Sequence, residues 1–319
     1  WYPAGYGDQA LYEAKISLYT KDGKLSDQKI LKHGIRKVRW LDNPGAPSGL
    51  PAYTLEINNQ PVYVKGVNWV PIDSLYGVVR EEKLENLLDK TLESGAFLLR
   101  VWGGGTIEKE LFYDLCAQKG ILVWQEFIQS SSGIDDKSPE SADMLKLMLI
   151  ESDSIIKRKR NHTALLLWCG GNELKDELND PEDEDNLMHQ ILGGQVRRLD
   201  PNRRFIPTSP FGGKADNSLH NNRKYPHNMA DVHGPWSHQG FGKQYELYNK
   251  GTSLFSSEFG VEGFAFPETI ERTIPESYRL PFVKENPYYF HRAQWWIHGP
   301  LVEECFGPIE SLDKLSQAS

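Results

Sequence analysis

Cysteine is scarce in this sequence: Cys116, Cys169 and Cys305 are the only three in 319 residues, and no Cys-x-x-Cys pair occurs. That odd, wide spacing excludes a disulfide framework and a zinc ribbon. Cys116 and Cys169 sit in apolar stretches and read as core thiols. No apolar run reaches the ~18 residues that a membrane span requires, so no membrane partner is expected. Basic charge is also short, with 36 Lys and Arg against 44 Asp and Glu, a formal charge of −8. This argues against nucleic acid as a partner, because phosphate binding needs a basic face. The one dense basic run, Lys157-Arg158-Lys159-Arg160, closes an amphipathic helical stretch, where cations are favoured by the helix dipole. No Gly-x-Gly-x-x-Gly or phosphate loop follows a strand, and Gly103-Gly104-Gly105-Thr106 lacks the loop lysine, which disfavours nucleotide binding. An initiating methionine and a signal peptide are both absent. Trp1-Tyr2-Pro3 is therefore expected to lie inside a longer protein, or to follow processing, and the remainder of that protein is expected to be a partner of this chain. Compartment and oligomeric state stay open.

What is present fits a soluble globular protein, with 39% hydrophobic and 25% charged residues. Residues 11–20 alternate apolar (Tyr12, Ala14, Ile16, Leu18) and polar positions, Lys21-Asp22-Gly23-Lys24 reads as a hairpin turn, and 35–40 alternates again. Two or three strands cannot stand alone, so residues 1–42 are expected to be the last part of an immunoglobulin-like β-sandwich. A Pro/Gly-rich loop at 42–49 separates them from a catalytic domain at 53–319.

There the texture changes. A hairpin around Asn58-Asn59 leads into alternating strands and helices. Leu84, Leu87, Leu88, Thr91 and Leu92 recur at helical spacing, and Leu145, Met148, Leu149, Ser152, Ile155 and Ile156 do so again. Short apolar runs predict strands near 62–67, 97–102, 121–125, 164–169, 204–208, 230–233 and 254–258. Continuous apolar strands alternating with helices indicate a parallel sheet covered by helices. The fold class is therefore α/β, a (β/α)8 TIM-type barrel whose chemistry sits where strands end. The seven strands leave the last one unassigned. Trp295-Trp296-Ile297 is the best candidate for it, and the barrel is expected to be incomplete.

Polar residues cluster at the expected strand ends: Arg100 and Trp102, Gln125 and Glu126, Asn172 and Glu173, Asp231 and His233, and Glu258. Two carboxylates across a barrel mouth suit glycoside hydrolysis, one protonating the leaving oxygen and the other attacking the anomeric carbon or activating water. On spacing alone Glu126, Glu173 and Glu258 rank equally, and any of them could be a salt-bridge partner. His227, His233 and His238 are five or six residues apart in a Gly/Pro-rich loop, which is no ligand signature. Neither a metal nor a cofactor is expected. The acidic stretch 176–185 lacks an Asp-x-Asp-x-Asp-Gly loop and reads as solvated surface.

Three segments in order, Lys65-Gly66-Val67-Asn68-Trp69-Val70-Pro71-Ile72-Asp73, Leu99-Arg100-Val101-Trp102-Gly103-Gly104-Gly105, and Arg160-Asn161-His162 through Leu167-Trp168-Cys169-Gly170-Gly171-Asn172-Glu173, resemble glycoside hydrolase family 2. The β-mannosidase-like branch is the most similar. Ser257-Glu258-Phe259-Gly260 matches the motif after strand seven. The resemblance implies a retaining exo-β-glycosidase acting on a carbohydrate substrate, with Glu173 as acid/base and Glu258 as nucleophile. It further implies that Asn172 meets the sugar 2-hydroxyl and that Arg100 sits behind Glu258 and keeps it ionised, as a nearby cation does. Trp102, Asn68 and Trp69 would line the innermost sugar pocket, with His233 and Trp236 near the sugar. β-Mannoside is the favoured substrate; β-galactoside, β-glucuronide and β-glucosaminide hydrolysis and an inactive carbohydrate-binding fragment are the alternatives. Glu126 stands where the branch commonly has Asp.

Overall fold

The computed structural model describes residues 1–78, 80–260, 263–292 and 299–318. The chain divides into two compact units, the first made of Trp1–Ala215, Tyr225–Val232 and Ser253–Glu258.

In the first unit, β1 (Tyr12–Tyr19) and β2 (Leu25–His33) form an antiparallel hairpin with a bulge at Leu18/Tyr19. Tyr12, Ile16 and Leu18 line one of its faces and are more than half exposed. Next, β3 (Val38–Leu41) pairs antiparallel with β4 (Thr54–Ile57), which pairs with β5 (Gln60–Val62). Asn58 and Asn59 make the β4–β5 turn at φ of 51° and 65°. Two successive left-handed residues twist a two-residue hairpin in the sense its strands need, and Asn tolerates them.

The strand expected at 62–67 is a correction: Val62 ends β5, and the parallel sheet begins only at β6 (Gly66–Trp69). Gly66 packs so closely on its neighbour that a Cβ would lie 2.7 Å from the Leu98 carbonyl oxygen. β6 is followed by β7 (Leu98–Val101), β8 (Leu122–Glu126), β9 (Leu165–Cys169) and β10 (Arg204–Ile206). These five strands lie side by side in chain order, and every adjacent pair is parallel. β7, β8 and β9 are buried along their whole length, which explains their unbroken apolar runs.

Each face of this sheet has its own core. Leu99, Val101, Val123 and Trp168 pack with the helices α1 (Glu81–Glu93), α2 (Glu110–Lys119), α3 (Ala142–Lys159) and α4 (Leu187–Leu199). Leu98, Leu122, Trp124, Leu167 and Cys169 pack on the other face with Tyr53, Leu55, Ile206 and Ala230. The helices show the packing and capping that hold their ends. Leu84, Leu88 and Thr91 are the buried stripe of α1, Gly120 ends α2 in the left-handed conformation, and Ser141 caps α3 by accepting from the Met144 N–H. Lys157, Arg158 and Lys159 occupy the last turn of α3, where Lys159 is buried against the Tyr113 ring and reaches Glu110 at 2.8 Å.

β11 (Asp231–His233) and β12 (Phe255–Glu258) form a separate pair. Phe255 stacks on Tyr53 and Trp124 at 5.3 and 6.0 Å, joining β12 to the second core.

The second unit, Asp216–Lys224, His233–Thr252 and Phe259–Ser319, is helical in its described residues. It holds α5 (Leu219–Lys224), α6 (Phe241–Lys250), α7 (Pro267–Thr273), a 3-10 turn at Glu276–Tyr278, α8 (Pro287–Arg292), α9 (Gly299–Phe306) and α10 (Leu312–Ala318). Ile270, Ile274, Phe282, Tyr289, Val302 and Leu315 form its core. Burial pushes the Tyr289 hydroxyl up to about 12, and it donates to the Arg279 carbonyl oxygen at 2.5 Å. Trp295-Trp296-Ile297, the candidate eighth strand, lies outside the described residues.

Candidate active site

Strand alternation explains how an arginine comes to lie among carboxylates. Side chains two apart on a strand share a face. Leu98 packs in the core opposite the helices, so Arg100 points to that side, as does Asn68, its register partner on β6. Leu122 and Trp124 put Glu126 there by the same rule.

Arg100 is only 2% exposed and distributes its guanidinium over four residues. Nε donates to Glu126 Oε1 at 2.8 Å, Nη1 to Glu258 Oε2 at 2.7 Å and to Asn68 Oδ1 at 3.0 Å, and Nη2 to Asn172 Oδ1 at 2.6 Å. Burial works against the charge on Arg100, but Glu126 and Glu258 outweigh it and raise the pKa above that of free arginine.

Beyond β9 the backbone turns sharply to present Asn172 and Glu173. Gly170 and Gly171 permit the turn, since a Cβ on Gly170 would lie 2.0 Å from the Pro207 carbonyl oxygen. Asn172 is held by its backbone N–H on Gln129 O (3.0 Å) and by Nδ2 on Ser130 Oγ (3.1 Å). Glu173 adopts a left-handed φ of 52°, uncommon for a residue with a side chain and frequent where function imposes it. Its N–H donates to Ser209 O at 2.7 Å, and its Oε2 accepts from Ser131 Oγ at 3.1 Å.

Glu258 ends β12 with its side chain 22% exposed. The preceding Ser257 is clamped by the fully buried Asp231, which accepts from its N–H at 2.9 Å and its hydroxyl at 2.7 Å. One carboxylate oxygen of Glu173 lies within 4.8 Å of one of Glu258.

The structure thus brings together Asn68, Arg100, Asn172, Glu173 and Glu258. It does not bring Trp69 with them. That ring packs on Phe112 in the helix-facing core and donates its indole N–H to Glu108 at 2.9 Å, because Trp69 follows Asn68 and points to the opposite face. Trp102 lies just past β7, its ring covering Gly104. His233 and Trp236 belong to the second unit, where the buried imidazole meets the half-exposed indole edge to face at 6.4 Å. Sequence reasoning gives no role to Ser131 or Ser257, places Asp231 only among the polar residues at strand ends, and ranks Glu126 with Glu173 and Glu258 on spacing without assigning it a role. The available signal was Asp231, an acid inside the apolar run Met229-Ala230-Asp231-Val232. Cys116 and Cys169 are buried, and burial pushes both thiols up, as expected of inert core cysteines.

Residues 51–208 match the family model for the TIM barrel domain of glycosyl hydrolases family 2. Among curated relatives, the chain is 27% identical to beta-mannosidase B of Emericella nidulans over 308 residues, covering 88% of this chain and 35% of the relative. It is 33% identical to beta-mannosidase of Rattus norvegicus over 228 residues, covering 67% of this chain and 25% of the relative. The crystal structure of beta-D-mannosidase from Dictyoglomus thermophilum superposes with a TM-score of 0.81 at 30% identity, over all of this chain and 38% of that one. The chain therefore spans between a quarter and about two fifths of the length of these relatives. Through residues 51–208, it carries the TIM barrel domain of glycoside hydrolase family 2.

Proposed function

We propose that the protein containing this chain is a retaining exo-β-glycosidase that removes terminal β-linked sugars, with β-mannosides as the favoured substrate. The observation that carries this reading is the pair of carboxylates, one oxygen of each within 4.8 Å. Retaining enzymes hold their two carboxyl groups about 5–5.5 Å apart, whereas inverting enzymes leave roughly 6.5–9.5 Å for a water. The mannoside preference is supported by the names of the three relatives above, each a β-mannosidase.

Glu173, as the acid, gives its proton to the glycosidic oxygen while a Glu258 oxygen bonds to the anomeric carbon and the bond to the aglycone breaks. The aglycone leaves as the alcohol, and the sugar remains as an ester on Glu258. Glu173, now ionised, takes a proton from water. The water oxygen bonds to the anomeric carbon and Glu258 departs as carboxylate, so two inversions leave the β configuration intact. Asn172, with Oδ1 on Arg100 and Nδ2 on Ser130, is fixed where an amide can meet the sugar 2-hydroxyl. Arg100 holds Glu258 in place for attack. In the same reading, residues 1–42 contribute to a β-sandwich and 53–319 form the catalytic domain. The exposed apolar row Tyr12, Ile16 and Leu18 supports the sandwich assignment of the hairpin.

A panel of nitrophenyl β-glycosides offered to the intact protein tests this. Release of β-mannose, with the anomer followed by proton NMR, is the expected outcome. Cleavage of a β-galactoside, β-glucuronide or β-glucosaminide instead would move the substrate within the same chemistry, and cleavage of none would overturn the reading.

A further inference from the structure

Glu126 is the third carboxylate at the strand ends, and the catalytic scheme above leaves it without a task. Its side chain is 0% exposed, so no sugar can touch it. Burying an ionised carboxylate is strongly unfavourable unless it is paired and hydrogen-bonded. Both of its oxygens answer that requirement. Oε1 takes the Arg100 Nε–H at 2.8 Å, and Oε2 takes the Gly103 backbone N–H at 2.7 Å.

We propose that Glu126 is a positioning residue that fixes the rotation of the Arg100 guanidinium and, through it, the placement of Glu258 and Asn172. This inference rests on Glu258 being the nucleophile. A guanidinium is rigid and planar, so holding Nε on one side determines where Nη1 and Nη2 point on the other. Here those two nitrogens reach Glu258 at 2.7 Å and Asn172 at 2.6 Å. Glu258, Asn68 and Asn172 all hold the Nη end, and Glu126 holds the Nε side opposite them. The second oxygen ties in the loop after β7. Gly103 is pressed so close to its surroundings that a Cβ would lie 2.2 Å from the Gln129 carbonyl oxygen and 3.1 Å from Glu126 Oε2. One carboxylate thus anchors Arg100 and the turn that follows Trp102. A carboxylate is the only side-chain group of this size that accepts at both ends. Glutamine has the same shape, but its amide nitrogen would face either the Arg100 Nε–H or the Gly103 N–H, donor against donor.

The experiment is Glu126→Gln in the intact protein, read by crystallography and by kinetics on a dinitrophenyl β-mannoside, whose leaving group needs no acid. The crystal structure is expected to show the guanidinium rotated off Glu258 or the Gly103 turn displaced. The kinetics are expected to show kcat lowered about 100-fold, the scale of an ångström-sized misplacement, with KM little changed. An unmoved guanidinium still bridging Glu258 and Asn172 overturns the proposal whether or not the enzyme is active. So does a rotated guanidinium with wild-type kcat. A wild-type protein that cleaves no β-glycoside overturns the reading of Glu258 as nucleophile, and the crystal structure still decides what Glu126 does to Arg100. Should Glu126→Gln fail to fold, Glu126→Asp keeps the charge and shortens the reach by one methylene. It is expected to keep one of the two contacts and to lose kcat less steeply; unchanged geometry at Arg100, Glu258 and the Gly103 turn together would overturn the proposal equally.

Discussion

The ends of β8 and β12 carry the same residue type against the same arginine and treat it in opposite ways. Glu126 is sealed at 0% exposure, whereas Glu258 keeps 22% and approaches Glu173. A strand-end glutamate is therefore not a catalytic signature in itself. What separates the two is whether solvent and a second carboxylate can reach the group. A sealed carboxylate can only hold something in place; one that is paired yet reachable can react.

The sharpest way to break this contrast is at the reachable member. Glu258→Ala is expected to lower turnover by about 10⁴-fold or more, as removal of a covalent nucleophile does. It should also abolish labelling by a 2-deoxy-2-fluoro-glycosyl inactivator, followed by intact mass. Retention of the label would remove Glu258 from its role. Glu173→Ala should be selective by comparison. Loss of about 10²–10⁴-fold is expected for substrates with poor leaving groups, the range of a general acid, and little in the first step for dinitrophenyl glycosides. A uniform loss across leaving groups would deny Glu173 the acid role.

How much of this was legible depends on what each residue's neighbours in sequence reveal. The strands β7, β8 and β9 could be read because burial on both faces demands unbroken apolar runs such as Leu165-Leu166-Leu167-Trp168. The start of β6 is hard to read because Val62-Tyr63-Val64 runs on to Gly66-Val67 with only Lys65 between, and the hairpin register Leu55↔Val62 assigns Val62 to β5. Trp69 was assigned by its neighbours in a motif, although a strand sends consecutive residues to opposite faces. The rank of Glu126 against Glu258 was not legible at all. It depends on Gly103 and Asp231, which are brought to the two strand ends by the fold and not by sequence proximity.

Asp231 offers a test of intermediate size, since it supports the β12 end as Glu126 supports Arg100. Asp231→Asn keeps one acceptor for Ser257 and loses the other, leaving a buried polar group unsatisfied. A destabilisation of about 1–3 kcal/mol is expected, read by denaturant midpoint, together with a fall in kcat milder than that of Glu258→Ala. An unchanged midpoint would show that the clamp on Ser257 contributes nothing.

The smallest effect concerns another sealed glutamate, Glu182, which sits apart from the arginine. It is 4% exposed and accepts from the Ser138 N–H at 3.1 Å, the Ser138 hydroxyl at 2.6 Å and His189 Nε2 at 2.8 Å. Burial alone would raise its pKa, but these hydrogen bonds, led by that of His189, outweigh burial and hold it below the ordinary carboxylate value. The sign of the linkage follows. A carboxyl whose pKa is depressed on folding contributes stability above its unfolded pKa, about 4.3, and loses it as pH falls through the folded value. The wild-type melting temperature should therefore fall on acidification below about pH 4.3, and Glu182→Gln, which cannot take up that proton, should fall less steeply over the same interval. Parallel curves for the two proteins would mean that Glu182 is not held ionised by Ser138 and His189. A sealed carboxylate would then need a full cation such as Arg100, as Glu126 has, to remain charged.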